Sequence, residues 1–424
     1  ENTPDGGARH GGWCLGKLGG AQLDPSRTLA SLGVVDGDLL QLRRRSENPP
    51  PPLYDDVVDA IAEATPDSYH PWTKQTALRI GHLAGALALI LAASAALLAG
   101  PVGGSSSGVG PAVAAGVIAI AAVALGATLA RSYDVPDTGV LVAAAGGLPM
   151  AFVAGLYIVP ETPGRAGLLL ACGLVLIIAA ASVLLIGHGV TTFVAAGTAG
   201  AFGALAFAVA TLVSAPLYSI AAGTAAVALA GISLLPRVTI QLARLPLPNV
   251  PGSAEDLKED SGFPDYSQIE RRAGLAHEYM TGMIIGSGIV AAVAAVLTAM
   301  APTVFGIILA VVVAAVLLLR GRTYANGSQA IALLSTGMLA AVGITAAWIH
   351  AADPTERLLW VFGALVILAA GALVCGVVIP DQRFSPPLRR TVEIFEAVLI
   401  AVVLPLSFAV MDLYSAVRHI QLGG

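Results

Sequence analysis

Long apolar blocks separated by short polar stretches fill the chain after residue 76. Eleven of these blocks are about 18 to 24 residues long, which is the length that a helix needs to cross the hydrocarbon core of a bilayer. The pattern therefore predicts eleven transmembrane helices. Their expected ranges are 77–99, 109–130, 139–158, 167–187, 190–213, 216–235, 279–300, 302–319, 328–350, 357–379 and 394–411.

The one long polar segment after residue 76 separates the sixth block from the seventh. It runs from Pro236 to His277 and has basic residues near both ends and an acidic middle from Glu255 to Asp260. This composition favours a solvent-exposed segment that binds a partner. We expect transmembrane helices one to six over 77–235, a cytoplasmic loop over 236–278, helices seven to eleven over 279–412 and an extracytoplasmic tail over 413–424.

The first 76 residues follow a different pattern. Short strand-like runs at 13–18 and 39–42 are separated by turn residues, and one helical turn over 28–32 is expected to end at Gly33. Four prolines at 49–52 predict a semi-rigid spacer, and apolar spacing over 55–64 predicts a short amphipathic helix. We therefore expect a small soluble domain over 1–47 and a Pro-rich linker with a short helix over 48–76.

The overall composition supports an integral membrane protein. Hydrophobic residues make up 56% of the 424 residues and charged residues only 12%, with a mean hydropathy of +0.81, which is too apolar for a soluble globule. The net charge of −5 gives no support for nucleic-acid binding. The cysteines, Cys14, Cys172 and Cys375, are too widely separated to suggest a disulfide framework or a zinc site.

The positions of the Lys and Arg residues predict the orientation in the membrane. With a cytoplasmic amino terminus and eleven crossings, 19 of the 22 basic residues fall on the inner side. Only Arg165, Arg357 and Arg418 fall outside. Since basic residues concentrate in cytoplasmic loops, we expect the amino terminus in the cytoplasm and the carboxyl terminus in the periplasm of an inner-membrane protein.

No catalytic or cofactor motif is complete in this chain. The run from Gly11 to Lys17 has the spacing of a phosphate-binding loop, but Leu18 stands where Ser or Thr would bind magnesium. His277 and Glu278 begin a zinc-protease motif that the next residues do not continue. We therefore expect no enzyme activity, no metal and no cofactor.

The predicted helices also lack charged residues near the middle of the membrane. Glu393 and Glu396 fall at the start of the last crossing and Asp412 at its end, where we expect water or lipid headgroups to solvate them. A transporter or channel for a small solute is the alternative to a structural protein, and it would need a polar site at bilayer depth. Pro149 and Pro405 are the candidate helix breaks for such a site.

Small residues at helical spacing indicate faces where helices pack closely. They occur in the first, fifth and seventh predicted crossings, and packing within the chain is the expected use, with dimerisation as the alternative. These residues are Gly81, Gly85, Ala196, Gly200, Ala204, Gly282 and Gly286.

The order of these features resembles a known family. The stretch from Leu15 to Arg43 looks like the second half of a ubiquitin-like β-grasp domain, and a Pro-rich linker, the run Leu53 to Ala62, eleven crossings and a polar loop after the sixth follow it. This combination resembles the EccD family of the mycobacterial type VII (ESX) secretion systems. The chain begins at Glu1 without Met, and we expect the ubiquitin-like domain to be truncated in front.

The resemblance implies a non-enzymatic subunit of a secretion complex that forms a homodimer around a lipid-filled space. Its implied partners are membrane lipids and subunits of the EccB, EccC and EccE types, with the ATPase activity in EccC. The ubiquitin-like domain and the polar loop would contact cytoplasmic parts of these partners. The docking residues proposed on this basis are Glu255, Asp256, Lys258, Glu259, Asp260, Arg271, Arg272, Arg43, Arg44 and Arg45.

Overall fold

A computed structural model of the chain describes residues 13–17, 23–24, 26–35, 37–44, 72–159, 164–244, 266–378 and 386–414. The chain divides into two compact units, Glu1–Thr76 and Ala77–Gly424. The predicted linker with its short helix lies outside the described residues, apart from the start of the first long helix.

The amino-terminal unit contains two antiparallel strands. Strand β1 (Trp13–Lys17) pairs with β2 (Leu40–Arg44), with Leu15 opposite Leu42. A 3-10 turn at Ala30–Leu32 lies between them, and Gly33 follows with a φ of +70°, a conformation that suits glycine because it has no Cβ. Both predicted strands and the helical turn are confirmed.

The side chain of Lys17 contacts other residues of this unit and is not arranged as in a phosphate-binding loop. Its Nζ lies 2.9 Å from the carboxylate of Asp38 and donates a hydrogen bond of 2.7 Å to the carbonyl of Gly33. Lys17 also ends a strand, whereas the lysine of a phosphate-binding loop precedes a helix.

The membrane unit contains eleven helices that are long and apolar enough to cross a bilayer, within the described part of the chain. The prediction of eleven crossings is confirmed. The uninterrupted helices are α1 (Lys74–Leu98), α2 (Val109–Ser132), α4 (Arg165–Ile186), α5 (Val190–Leu212), α6 (Leu217–Leu242), α7 (Tyr266–Ala299), α8 (Val304–Gly321), α9 (Gly327–Ala351) and α11 (Pro386–Val410).

Two helices contain a wider π-helical turn. Helix α3 joins Pro136–Val142 to Leu148–Tyr157 through a π turn at Ala143–Gly147, and α10 joins Pro354–Glu356 to Phe362–Val378 through one at Arg357–Val361. In α3 the π turn lies directly before Pro149, whose ring nitrogen donates no hydrogen bond. The predicted break at Pro149 is thus a local widening, whereas α11 continues through Pro405.

The helices around the polar segment are longer than predicted. Helix α6 continues through Pro236 to Leu242. Helix α7 begins at Tyr266, whereas the predicted seventh crossing begins at residue 279. Hydropathy locates the part of a helix that suits the bilayer, while a helix can continue into water. Both ends of the predicted loop 236–278 are therefore helical, and its middle, 245–265, lies outside the described residues.

The main core lies among α6, α7, α8, α9 and α11. Ile232, Ile284, Leu309 and Leu333 are almost completely buried there. Helices α6 and α11 run antiparallel. The start of α6 lies beside the end of α11, where the Ser219 hydroxyl donates to the carbonyl of Val410. A second core joins α1, α2, α3 and α4.

Three helices have the smallest buried shares among the eleven spans of the described chain. In the most apolar stretch of each helix, the buried share is 6% in α1, 6% in the span Pro354–Val374 of α10 and 17% in α11. The corresponding share is 61% in the span Ser267–Ala299 of α7. Because every predicted crossing is similarly apolar, these uncovered faces require lipid or another protein as their environment.

Candidate functional site

A buried carboxylate at one end of the main core connects α11 to α8 and the loop that follows it. Glu396, on α11, is only 6% exposed. Its Oε2 lies 3.1 Å from Nη2 of Arg322, in the loop after α8, and its Oε1 lies 3.6 Å from Nη1 of Arg320, at the end of α8. The expectation that water or headgroups solvate Glu396 is therefore wrong, because two guanidinium groups neutralise it.

Neighbouring polar groups extend this cluster to α6. Nη2 of Arg320 donates a 2.8 Å hydrogen bond to the hydroxyl of Ser233. Tyr324, in the same loop as Arg322, is half-buried, and burial raises the pKa of its phenol although Arg320 acts in the opposite direction. We call Ser233, Arg320, Arg322, Tyr324 and Glu396 the helix-end cluster.

Further charged residues lie at the same end of the bundle as the helix-end cluster. Because α6 and α11 are antiparallel, the last turns of α6 and the first turns of α11 lie at the same end of the bundle. Glu393 forms an exposed ion pair of 3.2 Å with Arg389 there. The charged residues on the terminal turns of α6 and α11 are Arg237, Arg389, Arg390, Glu393 and Glu396.

One of the predicted docking residues connects the two ends of the polar segment between α6 and α7. Nη1 of Arg272 donates a 2.8 Å hydrogen bond to the carbonyl of Arg244, which has a φ of +50°. Arg271 lies beside Arg272 near the start of α7. The acidic docking residues of this segment and Lys258 lie outside the described residues, as does Arg45, and Arg43 and Arg44 are placed only as backbone positions in β2.

Two predicted small-residue faces lie against neighbouring helices. A Cβ added to Gly286, on α7, would lie 2.4 Å from the carbonyl of Ala195 on α5, and one on Gly282 would lie 2.6 Å from that of Thr191. On another face of α5, a Cβ at Gly200 would lie 2.9 Å from a carbonyl of α4.

The small residues of α1 lie in a different environment. A Cβ added to Gly81 or Gly85 meets nothing within 4 Å among the described residues. Packing within the chain was expected at these positions and is absent from the described part of it. Ala196 and Ala204 are half-buried on α5.

Arginine side chains stabilise the carboxyl-terminal ends of neighbouring helices. Arg165, at the start of α4, donates to three carbonyls at the end of α5, those of Ala210, Val213 and Ala215, at 2.7 to 3.0 Å. Arg131 donates to the carbonyl of Leu184 near the end of α4. A positive charge here compensates the negative end of the helix dipole and the unpaired carbonyls.

The helix-end cluster was not predicted, although the sequence contains a local signal for it. Glu396 lies between Phe395 and Ala397 in an otherwise apolar run, so its carboxylate needs a partner. The spacing of Arg320 and Arg322 after an apolar helix suits a pair of cations at a helix end. Nothing in the sequence indicates that the Glu396 carboxylate lies beside these two cations. Among the described residues, no group of His, Cys, Asp and Glu side chains could hold a metal ion.

The fold by itself defines a class of protein. Eleven apolar spans follow a small two-stranded unit, which is the arrangement of a multi-pass membrane protein with a soluble amino-terminal domain. A family model described as the EccD-like transmembrane domain matches residues 77–420. The chain belongs to the EccD family of the ESX secretion systems. A second family model, for the WXG100 secretion system protein YukD, matches residues 2–42.

Relatives with known names extend over nearly the whole chain. The ESX-4 secretion system protein eccD4 of Mycobacterium tuberculosis is 30% identical over 421 residues, covering 96% of this chain and 88% of that protein. The ESX-3 secretion system protein EccD3 of Mycolicibacterium smegmatis is 29% identical over 432 residues, covering 95% and 85%. The predicted family is confirmed.

Solved structures share the fold. Protomer 1 of the ESX-3 core complex matches with a TM-score of 0.66 at 22% identity, covering 95% of this chain and 91% of that chain. A chain of the MycP5-free ESX-5 inner membrane complex matches with a TM-score of 0.60 at 19% identity, covering 86% of each. The chain is a multi-pass membrane protein of this fold.

Proposed function

We propose that this chain is a structural, non-enzymatic subunit of a type VII secretion complex in the inner membrane. The observation that carries the proposal is the large uncovered apolar surface of α1, α10 and α11. Within a complex, other subunits and lipid would cover these faces. Membership in the EccD family supports the same assignment.

Two copies of the chain would enclose a lipid-filled space between their helices. Helix α1 suits such a contact, because Gly81 and Gly85 open one face of it and leave room for a second helix to approach closely. Apolar side chains flank these glycines, among them Leu78 and Leu87, and are about half exposed.

The small amino-terminal unit and the segment between α6 and α7 would dock cytoplasmic parts of EccB, EccC and EccE subunits. The acidic run 255–260 and the basic residues Arg271, Arg43, Arg44 and Arg45 provide the opposite charges that steer such contacts. Hydrolysis of ATP would belong to the EccC partner. We also place domain boundaries after residues 47, 76, 235, 278 and 412.

The orientation can be tested with single cysteines in a chain whose own cysteines are replaced. Ser132 ends α2 and Ser106 lies in the loop before it, and both are exposed. With the amino terminus in the cytoplasm, a membrane-impermeant maleimide added outside spheroplasts should label Ser106→Cys and spare Ser132→Cys. The reverse labelling would contradict the proposed orientation.

Complex membership is tested by purifying the tagged full-length chain from its native membrane in mild detergent and identifying the co-purified proteins by mass spectrometry. We expect subunits of the EccB, EccC and EccE types. A chain recovered alone that transports a small solute when reconstituted into liposomes would instead support the transporter alternative.

Dimerisation is tested by disulfide crosslinking in the native membrane. Gly85→Cys on α1 should crosslink two copies. Gly173→Cys on α4 is the matched control, because an added Cβ at Gly173 also meets nothing within 4 Å. Equal crosslinking at both positions would indicate random collision and contradict a specific α1 interface.

A further inference from the structure

The helix-end cluster has more positive than negative charge. Two guanidinium groups, those of Arg320 and Arg322, face the single carboxylate of Glu396. Arginine carries five N–H donors in a fixed planar arrangement, and a carboxylate and a hydroxyl engage only part of the ten donors available. The cluster therefore retains charge and donors that suit a second anion.

This excess charge is accessible from outside the bundle. The side chains of Arg320 and Arg322 are 23% and 32% exposed, whereas that of Glu396 is 7% exposed. The carboxylate thus lies behind the two guanidinium groups, on the side of the core. An incoming anion would meet the positive groups first.

The depth of the cluster matches a lipid headgroup. Arg320 is in the last turn of an apolar spanning helix, Val304–Gly321, and Tyr324 lies in the loop that follows, a position where aromatic residues contact the headgroup region. Basic pockets between helices at this level bind the phosphates of anionic lipids. Arg237 and Arg390 add positive charge at the same end, while Glu393 compensates Arg389 there.

We propose that Arg320 and Arg322 together bind the phosphate of an anionic phospholipid headgroup at the junction of α6, α8 and α11. Bidentate contacts from two guanidinium groups suit a phosphate. Ser233 and Glu396 hold Arg320 from the core side, and the lipid acyl chains would extend along the exposed apolar face of α11. This binding site is independent of membership in a secretion complex.

The test measures lipid affinity of the purified, delipidated full-length chain by native mass spectrometry. Phosphatidylglycerol is expected to bind, and phosphatidylcholine to bind much more weakly. Arg322→Gln should weaken phosphatidylglycerol binding about fivefold, the effect of one basic residue near an anionic membrane surface. Arg357→Gln, at the opposite end of the bundle, is the control and should leave the affinity unchanged, since Arg357 donates to the carbonyl of His350.

A variant that is expected to raise the lipid affinity serves as a control for misfolding. Glu396→Gln keeps the shape of the side chain and removes the competing negative charge, so phosphatidylglycerol should bind about fivefold more tightly. A gain for phosphatidylglycerol with unchanged binding of phosphatidylcholine distinguishes this effect from a loss of structure, which would expose apolar surface to both lipids.

Three results with these variants would overturn the proposal. They are an unchanged affinity in Arg322→Gln, an equal loss in Arg357→Gln, and a decrease in Glu396→Gln. Displacement of the lipid by millimolar inorganic phosphate would assign the site to free phosphate, which also contradicts a lipid site.

Discussion

The carboxylate of Glu396 and the guanidinium of Arg322 lie 3.1 Å apart although 74 residues separate them in the chain. Their contact connects α11 to the loop between α8 and α9. Together with the hydrogen bond between Ser219 and Val410, this ion pair attaches the last helix to the core.

Glu396→Ala should therefore destabilise the membrane unit by about 2–4 kcal/mol. Removing one partner of a buried ion pair leaves the other charge without compensation, and the partial exposure of the two arginines places the value below the top of the usual range. Thermal unfolding of the purified chain in detergent measures the effect.

Glu393→Ala, one turn earlier on α11, is the matched control. Its ion pair with Arg389 joins side chains that are 55% and 78% exposed, and such pairs contribute only about 0.3–0.5 kcal/mol. Equal losses of stability in the two variants would show that the burial of Glu396 has no energetic consequence.

Gly286→Val should prevent α5 and α7 from packing at their present distance. The added Cβ would lie 2.4 Å from the carbonyl of Ala195 and 2.8 Å from the Cβ of Thr198, so the backbone must move. We expect a loss of about 3 kcal/mol or more, measured as a lower unfolding temperature and a lower yield of folded protein.

Gly81→Val on α1 is the corresponding substitution where the described chain leaves open space. It should leave the unfolding temperature of the monomer unchanged and reduce crosslinking of Gly85→Cys between copies. A strongly destabilised Gly81→Val would show that α1 packs within its own chain.

Arg165→Ala should loosen the end of α5. The side chain donates to the carbonyls of Ala210, Val213 and Ala215, and because Arg165 is exposed, we expect a loss of about 1 kcal/mol. Amides of residues 209–213 should exchange faster with deuterium. Arg165→Lys keeps the charge but cannot reach three carbonyls at once, so intermediate exchange is expected, and unchanged exchange in both variants would contradict this stabilising role.

The spanning helices could be predicted from the sequence because hydropathy and length alone define them. Their neighbours could not. Gly81–Gly85 and Gly282–Gly286 have the same local spacing, yet within the described part of the chain only the second pair lies against another helix. Likewise, no local pattern around Glu396 specifies that Arg320 and Arg322 lie beside it, because helix packing brings these distant residues together.

Arg165 shows how a departure from a topological rule can have a structural cause. It is one of three basic residues that the predicted orientation leaves on the outer side. Its guanidinium stabilises the end of α5, and that role requires a cation at this position whichever side of the membrane it faces.

The contact between Lys17 and Asp38 predicts how the amino-terminal unit responds to acid. The hydrogen bond from Lys17, together with the Val35 amide, lowers the pKa of Asp38 below its ordinary value of 3.8. A carboxyl group with a lower pKa in the folded state stabilises that state at pH values above its unfolded pKa. This stabilisation is lost as the pH falls through the folded pKa.

Asp38→Asn should therefore speed deuterium exchange of the β1 amides, Trp13–Lys17, at pH 6, while variant and parent should exchange alike near pH 2. Asp24→Asn is the control, because the pKa of Asp24 is lowered by hydrogen bonds from Ser26 within its own turn and its carboxylate does not contact Lys17. If both variants changed the exchange of β1 equally, the contact between Lys17 and Asp38 would not be what protects the β1 amides.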